Sequence, residues 1–198
     1  MTALLRDRLE ALLTRHWWQP QTTVLAALLW PLSLIYRLLL LWPRPQSRAA
    51  LPVPVLVVGN HVVGGAGKTP TVIALVQALQ LAGRRPGVIS RGHGRSTDAV
   101  RAVMPGDDAA AVGDEPLLIQ RRCGVPVFVA RRRIDAARAL CAAHPEVDLI
   151  IADDGLQHRG LPRQAELRVF DERGVGNGHL LPAGPLREPL PRQLPAHA

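Results

Sequence analysis

Residues Val53–Ala78, VPVLVVGNHVVGGAGKTPTVIALVQA, run as an apolar strand, break into a glycine-rich turn and enter a helix. That order is what a nucleotide-phosphate loop needs. Successive backbone N–H groups converge on the phosphates, glycines let the backbone come close, and the following helix directs its positive N-terminal end at the anion. Val62, Val63, Gly64, Gly65, Ala66, Gly67, Lys68 and Thr69 form the candidate loop. Its glycines make the turn, Lys68 reaches the β- and γ-phosphates, and the Thr69 hydroxyl is placed for the Mg²⁺ that accompanies them. The usual pattern asks for a glycine five residues before Gly67, where this chain has Val62. Composition offsets that departure. Lys68 is the only lysine in the chain, every other basic residue being arginine, and it falls where a compact ammonium on a flexible stem is required. The competing reading is a strand-to-helix connection whose glycines only relieve a tight turn.

Downstream, Thr71 to Ala82 continues as a helix and Pro86 to Ser90 (PGVIS) reads as a strand that runs into the glycine- and arginine-rich loop Arg91 to Ser96. Val125 to Ala130 and Val147 to Ala152 are further strands, with helical Ile134 to Ala143 between them. This alternation predicts an α/β fold of the P-loop NTPase kind, a parallel sheet with flanking helices. The last strand ends in Asp153-Asp154-Gly155, the form of the element that holds Mg²⁺ or its water at a strand's carboxyl end in phosphate-loop enzymes. Two adjacent carboxylates repel unless a cation sits close, although Asp-Asp-Gly is also a common turn. In GDEPLLI (Gly113 to Ile119), Asp114 opens a helix, either as its N-cap or as a functional carboxylate.

Upstream, residues 1–43 read as a membrane-associated segment. Met1 to Gln21 alternates leucine with arginine and ends in His16-Trp17-Trp18, an amphipathic helix with interfacial aromatics. Thr22 to Trp42 is almost wholly apolar and, at about 1.5 Å per residue, spans roughly one hydrocarbon core. Pro31 and Arg37 weigh against a plain transmembrane helix. A proline-containing linker, Pro43 to Pro54, then leads to the phosphate-loop domain, taken as 44–189, and Leu190 to Ala198 is a proline-rich tail.

The formal net charge of +8 points to an anionic partner. The arginine clusters lack aromatic interleaving or a DNA-reading motif, which argues against nucleic acid. Cys123 and Cys141 form no C-x-x-C pair, which argues against a disulfide framework or a zinc site.

GNxxxGGxGKTP, SRGHGR, GDEPLLI, VARRR ending at Arg133, DDGLQHR and LPAGPLREPL occur in this order, and together they resemble tetraacyldisaccharide 4'-kinase, the membrane-bound kinase of lipid A assembly. The resemblance covers Leu51 to about Pro189. It implies transfer of the ATP γ-phosphate to the 4'-hydroxyl of an acylated glucosamine disaccharide 1-phosphate, a lipid A precursor, at the cytoplasmic face of the inner membrane. It implies that Val62 to Thr69 bind ATP, that Asp114 activates the acceptor hydroxyl, and that Asp153 and Asp154 lie at Mg²⁺, supported by Gln157 and His158. It also implies that Arg131 neutralises charge on the transferring group or holds the lipid phosphate, and that Arg187 and Glu188 lie near the nucleotide. The family continues into a C-terminal lobe whose histidine partners the catalytic aspartate, so the chain is expected to lack that lobe. Two other readings remain open at this stage. One is a membrane-attached ATPase or nucleotide switch, although no guanine-reading N-K-x-D is present; the other is a nucleotide-binding remnant without turnover.

Overall fold

The computed structural model describes residues 11–42, 50–158 and 160–190. The elements in chain order are a helical stretch at 11–17 (α1), α2 (Val24–Leu41), β1 (Val55–Gly59), α3 (Lys68–Leu81), β2 (Pro86–Ser90), β3 (Arg101–Ala102), α4 (Ala109–Val112), α5 (Asp114–Cys123), β4 (Val127–Val129), α6 (Arg133–Ala143), β5 (Leu149–Asp153) and β6 (Ala165–Arg168). They divide into two compact units. One contains residues 50–60 and 67–169; the other contains 11–42, 61–66 and 170–190. The segment taken from sequence as a separate anchor is therefore grouped with the first part of the phosphate loop and with the chain after residue 169. Part of the expected linker, 43–49, and the tail from 191 lie outside the described residues.

In the larger unit the strands form one sheet in the order β3-β4-β2-β5-β1-β6. Every pairing is parallel except that of β3 with β4. A parallel sheet needs cover on both faces, and the strands carry it in their alternation. Val55, Val57, Ile89, Phe128, Ile150 and Ala152 point to one face, where Ile134, Ala137 and Leu140 of α6 close over them. Val58, Val88, Val127, Val129 and Ile151 point to the other, packed by Val72 and Val76 of α3 and Leu117 and Ile119 of α5. One position shows how tight this is. A Cβ on Gly87 would stand 2.8 Å from Leu140 Cδ1, so glycine is what lets α6 approach β2.

In the smaller unit α2 begins at an N-cap, Thr23, whose hydroxyl accepts from the Ala26 N–H at 3.3 Å. Pro31 lies inside the helix. The helix has a mean hydropathy of 2.1 and is long and apolar enough to cross a membrane. Its covered positions, Ala26, Leu29, Ser33, Tyr36 and Leu40, recur at alternating three- and four-residue spacing and make one stripe. Val24, Leu28, Ile35, Leu38 and Trp42 lie opposite and are exposed. Two of the aromatics expected at a lipid interface, Trp17 and Trp18, have protein partners. The Trp17 indole N–H donates to the Pro182 carbonyl at 2.9 Å, and the Arg173 guanidinium sits 4.1 Å over the Trp18 ring.

Candidate functional site

Of the phosphate loop, Gly67, Lys68 and Thr69 belong to the larger unit and residues 62–66 to the smaller. Gly67 takes a left-handed conformation (φ 75°) and is the N-cap of α3, so the helix starts directly at Lys68 with its free N–H groups at the loop. Gly64 also has positive φ. Around Gly64, Gly65 and Gly67 nothing lies within 4 Å of where a Cβ would stand. Backbone free of side chains at those three positions is the condition for close approach by a phosphate.

Lys68 is 3.2 Å from Asn60 Oδ1, to which it donates, and 3.6 Å from Asp154 Oδ1. Asn60 directly follows β1, and its carbonyl accepts from Gln157 Nε2 at 3.0 Å. β1 and β5 are neighbours in register, Val58 opposite Asp153, which brings the loop's lysine and the acidic pair to the same carboxyl ends of the sheet. Asp154 has φ 48°, left-handed geometry that aspartate tolerates better than most residues and that commonly marks a functional turn.

Asp153 is 1% exposed, and neither carboxylate oxygen has a hydrogen-bond partner among the described residues. Burial pushes its pKa up to about 7, Glu115 and Asp154 add to the effect, and Lys68 and Arg133 oppose it. A carboxylate so placed fits a cation. Thr69, 9% exposed in the first turn of α3, supplies a hydroxyl beside Lys68. Among the described residues no group of three or more His, Cys, Asp or Glu side chains could hold a metal alone. Mg²⁺ suits such a set, because it commonly takes one or two protein oxygens and completes its shell with waters and substrate phosphates.

Arg131, the arginine given a role from sequence, and Arg133, given none, differ in burial. Arg131 is on the surface, 3.4 Å from the equally exposed Asp98. Arg133, 7% exposed, donates from Nη2 to the Asp154 carbonyl at 2.8 Å. Burial lowers its pKa, against the pull of Asp154, and Arg91 lowers it further. Asp114 is not the N-cap of α5: Gly113 holds that place with φ 96°, and Asp114 is the first helical residue, exposed beside Glu115. Among the described residues no hydrogen bond or ion pair joins Asp114 to the acidic pair; of the two carboxylates that open α5, it is Glu115 whose charge raises the Asp153 pKa. His158 is half-buried, and its pKa is lowered by burial first and by Arg133 and Arg163 next.

In the smaller unit Val62, Ala66 and Leu186 form a buried cluster with Trp18 and Leu180 beside it. Arg187 donates its N–H to the His61 carbonyl at 2.7 Å. The Glu188 carboxylate lies 3.5 Å from the His61 ring.

The family model described as tetraacyldisaccharide-1-P 4'-kinase matches residues 25–198. The match is wider than the Leu51 to Pro189 carried by the motifs and takes in α2 and the proline-rich tail. A protein of Acidovorax sp. (strain JS42) named tetraacyldisaccharide 4'-kinase is 59% identical over 174 residues, covering 85% of this chain and 52% of that protein. One of Leptothrix cholodnii with the same name is 54% identical over 193 residues, covering 93% and 54%. Among solved structures, LpxK from Aquifex aeolicus, an "apo" form in complex with ATP, superposes with a TM-score of 0.72 at 30% identity, covering 84% of this chain and 55% of that one. The chain spans about half the length of the curated relatives it matches.

Proposed function

The chain belongs to the tetraacyldisaccharide-1-P 4'-kinase family, and from that premise we propose that it binds ATP and transfers the γ-phosphate to the 4'-hydroxyl of a tetraacyldisaccharide 1-phosphate. The observation that carries this reading is the convergence of Lys68, Asp154 and the orphaned Asp153 carboxylate at adjacent strand ends beside the first turn of α3. Phosphoryl transfer asks chiefly for positioning and charge neutralisation. The loop 62–69 holds the phosphates through the backbone N–H groups that follow Val63, whose own N–H is taken by the Pro185 carbonyl, and Lys68 holds the β- and γ-phosphates. Asp153, Asp154 and the Thr69 hydroxyl would hold Mg²⁺, which would supply positive charge against the phosphate oxygens. Arg133, already oriented by the Asp154 carbonyl, is the interior cation of the site; Arg131, on the surface, is available to a lipid phosphate. Asp114 accepts the proton of the acceptor hydroxyl, which needs an exposed carboxylate that a substrate can reach. Arg187 and Glu188 serve the nucleotide.

The membrane supplies the acceptor, and α2 meets it at the inner membrane's cytoplasmic face. Ser33 and Tyr36, near the middle of α2, bond to irregular backbone at Leu180 and Arg187. Irregular backbone is not found facing lipid within the hydrocarbon region, so α2 lies along the membrane surface with the Val24, Leu28, Ile35 and Leu38 side in lipid. Arg37, next to Tyr36, then falls at the flank of the covered stripe, where it can reach water.

The test separates binding from transfer. Lys68→Ala abolishes ATP binding, whereas Asp114→Asn keeps ATP affinity within about twofold and lowers transfer by about 10²-fold or more. Undiminished lipid phosphorylation by Asp114→Asn would remove it as the base.

A further inference from the structure

Ser33 is out of place in a lipid-facing helix. It is 5% exposed, whereas Leu28 in the same helix is 72% exposed. Its hydroxyl donates to the Leu180 carbonyl at 2.9 Å and accepts from the Ala183 N–H at 3.1 Å, so both of its capacities are used. One turn further on, the Tyr36 hydroxyl donates to the Arg187 carbonyl at 2.8 Å. A membrane contact asks for neither group. Both bind the backbone of a single segment, residues 180–187.

That same segment holds the leading half of the phosphate loop. Val62 forms an antiparallel bridge with Leu186, Val63 donates its N–H to the Pro185 carbonyl at 2.9 Å, and Arg187 donates to the His61 carbonyl at 2.7 Å. Fixing the Val63 peptide fixes the direction in which the next amides leave, because each peptide unit is planar and only φ and ψ remain. A loop that binds anions through backbone N–H groups is only as selective as those directions are constrained. The support therefore runs from the covered stripe of α2, through residues 180–187, to residues 61–63.

We propose that Ser33 and Tyr36 are positioning residues for the nucleotide, holding the leading half of the phosphate loop from within the membrane-facing helix. This rests on the reading of residues 62–69 as the loop that binds ATP. In consequence α2 has two faces with separate duties: Leu28, Ile35 and Leu38 meet lipid, and Ser33 and Tyr36 set the affinity for ATP.

The experiment uses the full 198-residue chain in detergent micelles and measures the Kd for ATP with Mg²⁺ together with amide hydrogen exchange. The variants are Ser33→Ala and Tyr36→Phe, with Leu28→Ala as the control on the lipid side. Losing one such hydrogen bond should raise the Kd by about threefold to tenfold and speed exchange at the Val63 and Arg187 amides by a similar factor. Exchange in β5 should be unchanged, and Leu28→Ala should match the wild type in both readouts. An unchanged Kd in both variants, with or without faster exchange, overturns the positioning role and leaves the ATP reading standing. Faster exchange spread through β5 assigns the two hydroxyls to general stability and overturns it as well. A wild-type chain that binds ATP no better than Lys68→Ala overturns the loop reading and the positioning role together.

Discussion

Asp153 is the residue whose environment departs furthest from its ordinary one. An unfolded aspartate titrates near about 3.9, whereas burial holds the folded carboxyl at about 7. Between those values the folded chain retains a proton that the unfolded chain releases, so stability falls as pH rises through that window and the full cost is reached above it. Asp153→Asn removes the titration. Its melting advantage over the wild type in metal-free buffer should grow between pH 5 and pH 8 by about 2–3 kcal/mol; an advantage of the same size at both pH values would show that the carboxyl is not held neutral. The neighbouring residues show where sequence runs out at this scale. Lys68, Asp153 and Asp154 were legible because each lies within a motif contiguous in sequence. The arginine that turns inward was not, because Arg131, Arg132 and Arg133 are chemically alike and only the start of α6 decides that the third faces Asp154. Glu115, whose charge raises the Asp153 pKa, was not read either, because it stands beside Asp114 as a second carboxylate at the start of α5.

At the scale of elements, the strands that form the sheet's interior were visible as apolar runs, and β2 has the bounds read for it, Pro86–Ser90. β3 and β6 were not read. They are the edge strands, two and four residues long, exposed over most of their length and therefore without an apolar signature. Gly113 joins α4 to α5, and its role is conformational as well as steric. It has φ 96°, and a Cβ there would stand 2.9 Å from the Gly92 Cα, a backbone atom that has little room to yield. Gly113→Ala should cost more than about 1 kcal/mol in denaturant unfolding and should displace the first turn of α5 with Asp114 and Glu115. A midpoint equal to the wild type would mean that this junction is looser than its geometry. In α2 the stripe Ala26, Leu29, Ser33, Tyr36, Leu40 was present in the sequence as a period, but an almost wholly apolar segment hides which side is covered.

At the scale of the molecule, the chain falls into two compact units, and residues 61–66 and 170–190 are grouped with the helices at the chain's start. The exposed apolar side of α2 predicts membrane behaviour apart from that grouping. Leu28→Glu and Leu38→Glu together place two charges on that side, and the chain should then fail to float with anionic phospholipid vesicles while keeping its ATP affinity. Flotation equal to the wild type would move the lipid contact elsewhere. The family and the phosphate-loop fold follow from the sequence and its relatives; turnover by this chain, which spans about half the length of those relatives, is the central claim. The direct measurement is transfer of labelled γ-phosphate from ATP to a tetraacyldisaccharide 1-phosphate in detergent micelles by the purified 198-residue chain, with Lys68→Ala and Asp114→Asn beside it. Labelled lipid is expected from the wild type and none above background from either variant. ATP bound by the wild type with no label in the lipid would contradict that claim.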